Sequence, residues 1–314
     1  MTPAKIASGP NWLHQRIERD EVVIIDGATG TELEARGVPM HEFAWSVQAL
    51  FEYGHVVREV HEDYIRAGAD VVITNTFSTG RHLLDPIGYG DRVEALNREA
   101  VELALQARDA VADRPVAIAG SMSSFMARPE DPEWFNPETL RSTFTEQANL
   151  LAEAGVDLIA LEMLQRPESA RPAVQAAVQT GLPVWVGVSC KRSRDSDGLA
   201  TFDYPERDFK DVVSAVTDLG AGLINVMHSE VHDTAPGIEL VRQHWSGPIG
   251  AYPNSGYFKM PNWQFVDIIP PDELIEVAKT WVTQGVQVIG GCCGIGPEHI
   301  RRLKQELPTY LPPT

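Results

Sequence analysis

The chain has 314 residues, 43% of them hydrophobic and 22% charged, with a formal net charge of −18. So acidic a surface repels phosphate backbones and anionic lipid, which excludes nucleic acid and the membrane surface as partners. No apolar run approaches the roughly 20 residues of a membrane span. The three cysteines, Cys190, Cys292 and Cys293, are too few and odd in number for a disulfide framework, and they read as reduced thiols.

The first residues, MTPAKIASGPNWLHQRIERDE, lack the apolar core of a secretory signal, so a cytoplasmic location is expected and residues 1–20 read as an extension. Short apolar runs then follow at 22–26 (VVIID), 71–74 (VVIT), 116–120 (VAIAG), 157–162 (DLIALE), 184–189 (VWVGVS), 222–226 (GLINV), 248–252 (PIGAY) and 286–290 (VQVIG). Their near-continuous hydrophobicity suits parallel strands covered on both faces. Amphipathic helices are predicted between them at 54–67, 91–112, 138–154, 167–180, 206–219, 234–245 and 271–284. The steps AGADVV, AGVDLI and LGAGLI place glycine where a helix ends and a strand begins. Eight β–α units predict a single-domain (β/α)8 barrel over residues 1–314 in preference to an open doubly wound sheet.

In such a barrel, function sits where the strands end. Asp26, Asn75, Ser121, Glu162, Cys190, Asn225 and Asn254 each follow an apolar run directly or within a few residues. The sharpest local signal is Gly290-Gly291-Cys292-Cys293-Gly294 after the eighth run. Neighbouring side chains on a strand point to opposite faces, so two adjacent cysteines share one ion only if the backbone turns between them. The flanking glycines permit that turn. Thiolates are soft ligands that suit zinc. The bland alternative is two small thiols packed in a glycine-rich turn.

Together with DGATGTELEARG (26–37), the GGCCG segment resembles the homocysteine S-methyltransferase family, which includes the betaine– and S-methylmethionine–homocysteine methyltransferases. AWSVQAL (44–50), EDYIRAGADVVITNTF (62–77), AGSMSS (119–124), LLAEAGVDLIALE (150–162) and YPNSG (252–256) extend the resemblance from about residue 20 to about 305. It implies a barrel in which zinc activates homocysteine as a thiolate. Asp26 and Glu162 match positions that hold the substrate ammonium, a role that fits two carboxylates near a zwitterion. On spacing alone the alternative for Asp26 is a turn or cap residue before Gly27, and for Glu162 a solvated or salt-bridged strand end. Trp45 matches an aromatic position facing the methyl donor, where its ring would attract a sulfonium or quaternary ammonium; ordinary packing is the alternative. Ser121, Asn225 and Asn254 complete the expected substrate-binding set.

The chain departs from the family in two places. Relatives carry a third zinc cysteine after an Asn at the sixth strand end, whereas Asn225 is followed here by Val226. His228, two residues on, would share the face of Val226 if the strand continues, and it is the expected third ligand, with Cys190 as the alternative. Betaine-type relatives also place a Tyr where Ser78 stands. The expected activity is therefore zinc-dependent methyl transfer from a small sulfonium to homocysteine or a related thiol. A metal-dependent lyase or hydrolase, and a barrel that binds an amino acid without turning it over, are the competing readings. No GxGxxG fingerprint signals a nucleotide domain. Partners are a small thiol and a methyl donor, and assembly into a homo-oligomer is compatible with the sequence.

Overall fold

Each of the eight apolar runs forms a strand in the computed structural model, which describes residues 11–42, 44–125, 135–193, 198–259 and 264–312. The strands are β1 (Val23–Ile24), β2 (Val71–Ile73), β3 (Ala117–Ser123), β4 (Leu158–Leu164), β5 (Val184–Val188), β6 (Leu223–Glu230), β7 (Ile249–Asn254) and β8 (Val286–Ile289). All are parallel, and each pairs with its neighbours in chain order. A parallel bridge between Ile25 and Val71 joins β1 to β2 and closes the ring, as the eight-fold barrel predicts.

Alternation along the strands sorts side chains into two apolar layers. Ile24, Val72, Ile118, Ile159, Val186 and Ile224 pack outward under the helices, whereas Val23, Val71, Ala117, Leu158, Leu223 and Val288 fill the interior. The seven helices expected between strands are present, Gly54–Ala67 with the expected ends and others, such as Val93–Val111 and Phe209–Val216, with ends shifted by a few residues. The helix Pro297–Glu306 completes the eighth unit. Its Ile300 and Leu303 pack inward, and proline opens its first turn.

Part of the stretch read as an N-terminal extension is ordered. Asn11–Glu18 is a helix whose Leu13 and Ile17 are buried against the interior layer. The Gln287 amide, from β8, donates to the Ile17 carbonyl at 2.8 Å. This helix plugs the N-terminal end of the barrel and leaves the C-terminal mouth as the way in. Among the described residues no helix is long and apolar enough to cross a membrane.

One buried group makes the fold sensitive to acid. His61, on Gly54–Ala67, is fully buried with neither ring nitrogen hydrogen-bonded, and burial pushes its pKa down to about 4. The native state therefore binds fewer protons than the unfolded chain as pH falls below 6.5. The span from pH 6.5 to 5 costs about 2 kcal/mol. In His61→Leu, the loss of unfolding free energy between pH 7 and 5 should shrink by about that amount in urea titrations. An undiminished loss would contradict it.

Candidate functional site

The barrel mouth is built by glycines and by two breaks in strand alternation. A Cβ on Gly290 would lie 2.3 Å from the Ile25 side chain and 2.7 Å from the Asp26 carbonyl, so glycine is needed where the exits of β8 and β1 meet. The chain then turns through Cys292, Cys293 and Gly294 (φ +81°), with the Ile295 N–H donating to the Cys292 carbonyl at 3.1 Å. This turn brings both sulfurs to one side, 4.0 Å apart.

The second break lies in β6. Val226 packs outward beneath the helix Val231–His244, where a Cβ on Gly237 would meet its Cγ1 at 2.9 Å. Met227 points into the interior layer. His228 takes a left-handed backbone (φ +44°), and the register shifts between Met227 and Glu230. The imidazole thereby swings into the mouth, with Nδ1 at 3.2 Å from Cys292 Sγ and 3.7 Å from Cys293 Sγ. The expectation that His228 shares the face of Val226 is thus corrected: the two diverge because the strand bulges between them. β4 does the same at Met163 (φ +56°), next to Glu162.

A zinc ion with bond lengths of about 2.3 Å to sulfur and 2.1 Å to nitrogen would impose tetrahedral edges of about 3.8 Å between sulfurs and 3.6 Å between sulfur and nitrogen. The three observed separations, 4.0, 3.2 and 3.7 Å, bracket those edges. Among the described residues these three side chains are the group of His, Cys, Asp or Glu placed to hold a metal. The Cys292 S–H, with His228 nearby, holds the Cys293 thiol well below the usual thiol range, and the resulting charge together with burial holds Cys292 above it. Burial opposes charging His228, but the neighbouring Cys293 thiolate outweighs it and raises the imidazole.

Cys190 does not join this group. Its sulfur is buried against Gly237, accepts a hydrogen bond from the Ser229 hydroxyl at 3.4 Å, and is pushed up to about 12 by burial. It packs behind β6.

A cavity of 430 Å³ opens above the cluster, lined among others by Trp45, Phe77, Phe125, Glu162, Met163, Phe202, Asp203, Glu230, Asn254, Tyr257, Cys292 and Cys293. No Lys or Arg belongs to its described lining. Burial pushes the Glu162 carboxyl up to about 7, although the Ser121 hydroxyl donates to it. Asp26 is fully buried and raised well above the carboxylate range by burial; the Ile73 N–H occupies its Oδ2 at 2.8 Å and leaves Oδ1 without a partner. A cation placed beside either buried carboxylate would favour its charged form.

Asp26, Ser121 and Asn225 lie outside this lining. Ser121 supports Glu162. Asn225 is buried inside the barrel, its Oδ1 close to the backbone of Gly250 and without a hydrogen bond. Asn254 does line the cavity, but its amide donates to Glu230 Oε1 at 3.1 Å. Trp45 also lines it, in a left-handed conformation (φ +40°), with ring centroids 5.5 Å from Phe77 and 4.7 Å from Phe125. Its loop is pinned by Ser78, whose hydroxyl donates to the Ala44 carbonyl at 2.8 Å, and by Asn75, which hydrogen-bonds the Ser46 side chain and carbonyl. Met163, Phe202, Asp203 and Glu230 carried no sequence signal, because loops and bulges set their direction. A separate groove of 590 Å³ at the opposite end, between Ile17, Arg242 and Gln284, contains none of these groups.

Residues 23–307 match the family model described as homocysteine S-methyltransferase. The chain is 30% identical to homocysteine S-methyltransferase 4 of Zea mays, over 89% of this chain and 87% of that protein. It is 29% identical to the homocysteine S-methyltransferase of Escherichia coli, with 94% and 98% covered, and 27% identical to a selenocysteine methyltransferase of Astragalus bisulcatus, with 97% of each covered. The metallated form of the homocysteine methyltransferase MmuM from Escherichia coli superposes with a TM-score of 0.77 at 25% identity, covering 95% of this chain and 100% of that one.

Proposed function

The chain belongs to the homocysteine S-methyltransferase family and transfers a methyl group to homocysteine, and we propose that it does so with zinc held by Cys292, Cys293 and His228 and with a small sulfonium as donor. The observation that carries this reading is the triangle of two sulfurs and one ring nitrogen, whose edges match a tetrahedral site.

When bound there, zinc lowers the pKa of an acceptor thiol so that its thiolate is available near neutral pH. The protein supplies the rest. Asp26 and Glu162 receive the acceptor's ammonium, which restores the charge that burial suppresses in both. Ser121 holds Glu162 in place. Trp45, Phe77 and Phe125 present aromatic faces to a cationic methyl donor, and the apolar lining excludes water from the path between the two sulfurs. Attack in line forms one C–S bond as the donor's C–S bond breaks, and the electron pair returns to the donor sulfur. Most of the acceleration comes from positioning.

A sulfonium leaves as a neutral thioether. Betaine must expel an amine, a poorer leaving group than a thioether. Purified enzyme should contain close to one zinc per chain. It should use S-methylmethionine with a kcat/KM at least about 100-fold above that for betaine, a difference of about 3 kcal/mol. A preference for betaine, or a protein free of metal, would overturn the reading.

A further inference from the structure

Homocysteine brings one ammonium, and Asp26 with Glu162 accounts for it. Two further carboxylates, Asp203 and Glu230, line the cavity that Glu162 lines. Each is held by a buried side-chain amide. Gln165 donates to Asp203 Oδ2 at 2.7 Å and accepts the Asp203 N–H at 2.6 Å. Asn254 donates to Glu230 Oε1 at 3.1 Å. Asp203 is exposed and Glu230 half-buried, and these amides fix the direction of each carboxylate. Among the described residues neither forms an ion pair, and Lys191 stands over the Phe202 ring, 5.5 Å from its centroid, without bridging to either. Both share the cavity lining with His228, Cys292 and Cys293.

We propose that Asp203 and Glu230 select the donor by holding a second cation, the α-ammonium of a dimethylsulfonium amino acid, while Trp45, Phe77 and Phe125 face its sulfonium. This rests on the methyltransferase reading above. The arrangement matches a donor with two positive groups and one carboxylate, and it disfavours donors with a single cation. In the transfer, the acceptor thiol gives its proton to solvent and its sulfur bonds to the methyl carbon. The donor's C–S bond breaks with its electron pair staying on the donor sulfur, and a neutral thioether remains. The sulfonium charge vanishes on the way, whereas the ammonium charge is the same before and after. Asp203 and Glu230 therefore act on ground state and transition state alike and are expressed in the donor's KM rather than in kcat.

The experiment compares S-methylmethionine with dimethylsulfoniopropionate, which keeps the sulfonium and a carboxylate but has no ammonium, in wild type, Asp203→Asn, Glu230→Gln and the double variant. Both substitutions retain an oxygen for the amide that holds them. The ratio of kcat/KM for S-methylmethionine over dimethylsulfoniopropionate should fall about 5- to 10-fold in each single variant, through the donor's KM. An unchanged ratio, or equal losses with both donors, would overturn the assignment. If wild type methylates homocysteine from neither donor, the methyltransferase reading fails on its own. Calorimetric binding of S-methylmethionine to the same proteins then decides the pair's role: weaker binding in the double variant supports it, and equal affinity overturns it.

Discussion

Cys292→Ser and Cys293→Ser should each purify with far less than one metal per chain and lose at least about 10³-fold in methyl transfer to homocysteine. The expectation follows from dividing a structural zinc affinity of roughly 12 kcal/mol among four ligands, which makes each worth about 3 kcal/mol, or about 10²-fold in affinity. Serine is a poor substitute, because its hydroxyl stays protonated and hard where the thiol ionises readily and is soft. The activity loss exceeds the affinity loss, since the acceptor then loses its pKa lowering and its fixed position together. The two cysteines act on each other: without metal the Cys293 thiolate raises Cys292 while the Cys292 S–H lowers Cys293, and a bound dication favours both thiolates. The double variant should therefore lose less than the product of the single effects. Metal analysis by atomic emission, set beside product formation, checks this. Full metal content in either single variant would remove that cysteine from the site.

The strands were legible because each is a run of apolar residues long enough to cross the barrel, and the ring follows from their number and order. The cysteine turn was legible because glycines flank it. What failed was the period-two rule at the strand ends. Val226 and His228 read as neighbours on one face, yet His228 and Met163 are non-glycine residues in left-handed backbone, which no residue pattern announces. Ser121 read as a substrate contact because a polar residue at a strand end looks the same whether it touches substrate or supports Glu162. The plug helix was missed because its apolar face is short, Leu13 and Ile17 buried and Trp12 half-buried beside them. Asp203 lies just beyond the short strand Leu199–Thr201, and only the pairing with Gln165 points it at the cavity.

His228 is the third ligand proposed above, and substituting it separates two roles that the cysteines combine. His228→Ala removes one ligand and should weaken metal binding by about 10²-fold, with cysteine chemistry otherwise intact. His228→Cys should keep the metal. The sulfur of a cysteine reaches less far than Nδ1, the ring nitrogen nearer the backbone, but bonds from zinc to sulfur are longer, which recovers part of the difference. With cobalt in place of zinc, the thiolate charge-transfer absorption should rise by about half, as two thiolates become three. The kinetic consequence is a change of sign between two parameters. Two thiolates and a neutral imidazole leave the site one unit of charge less negative than three thiolates would, so wild type attracts an anionic acceptor more strongly and leaves it less nucleophilic. His228→Cys should therefore raise the acceptor's KM while raising kcat with poorly reactive donors such as betaine. If His228→Ala binds metal as tightly as wild type, the imidazole is not a ligand, and its left-handed strand end then serves only to shape the cavity.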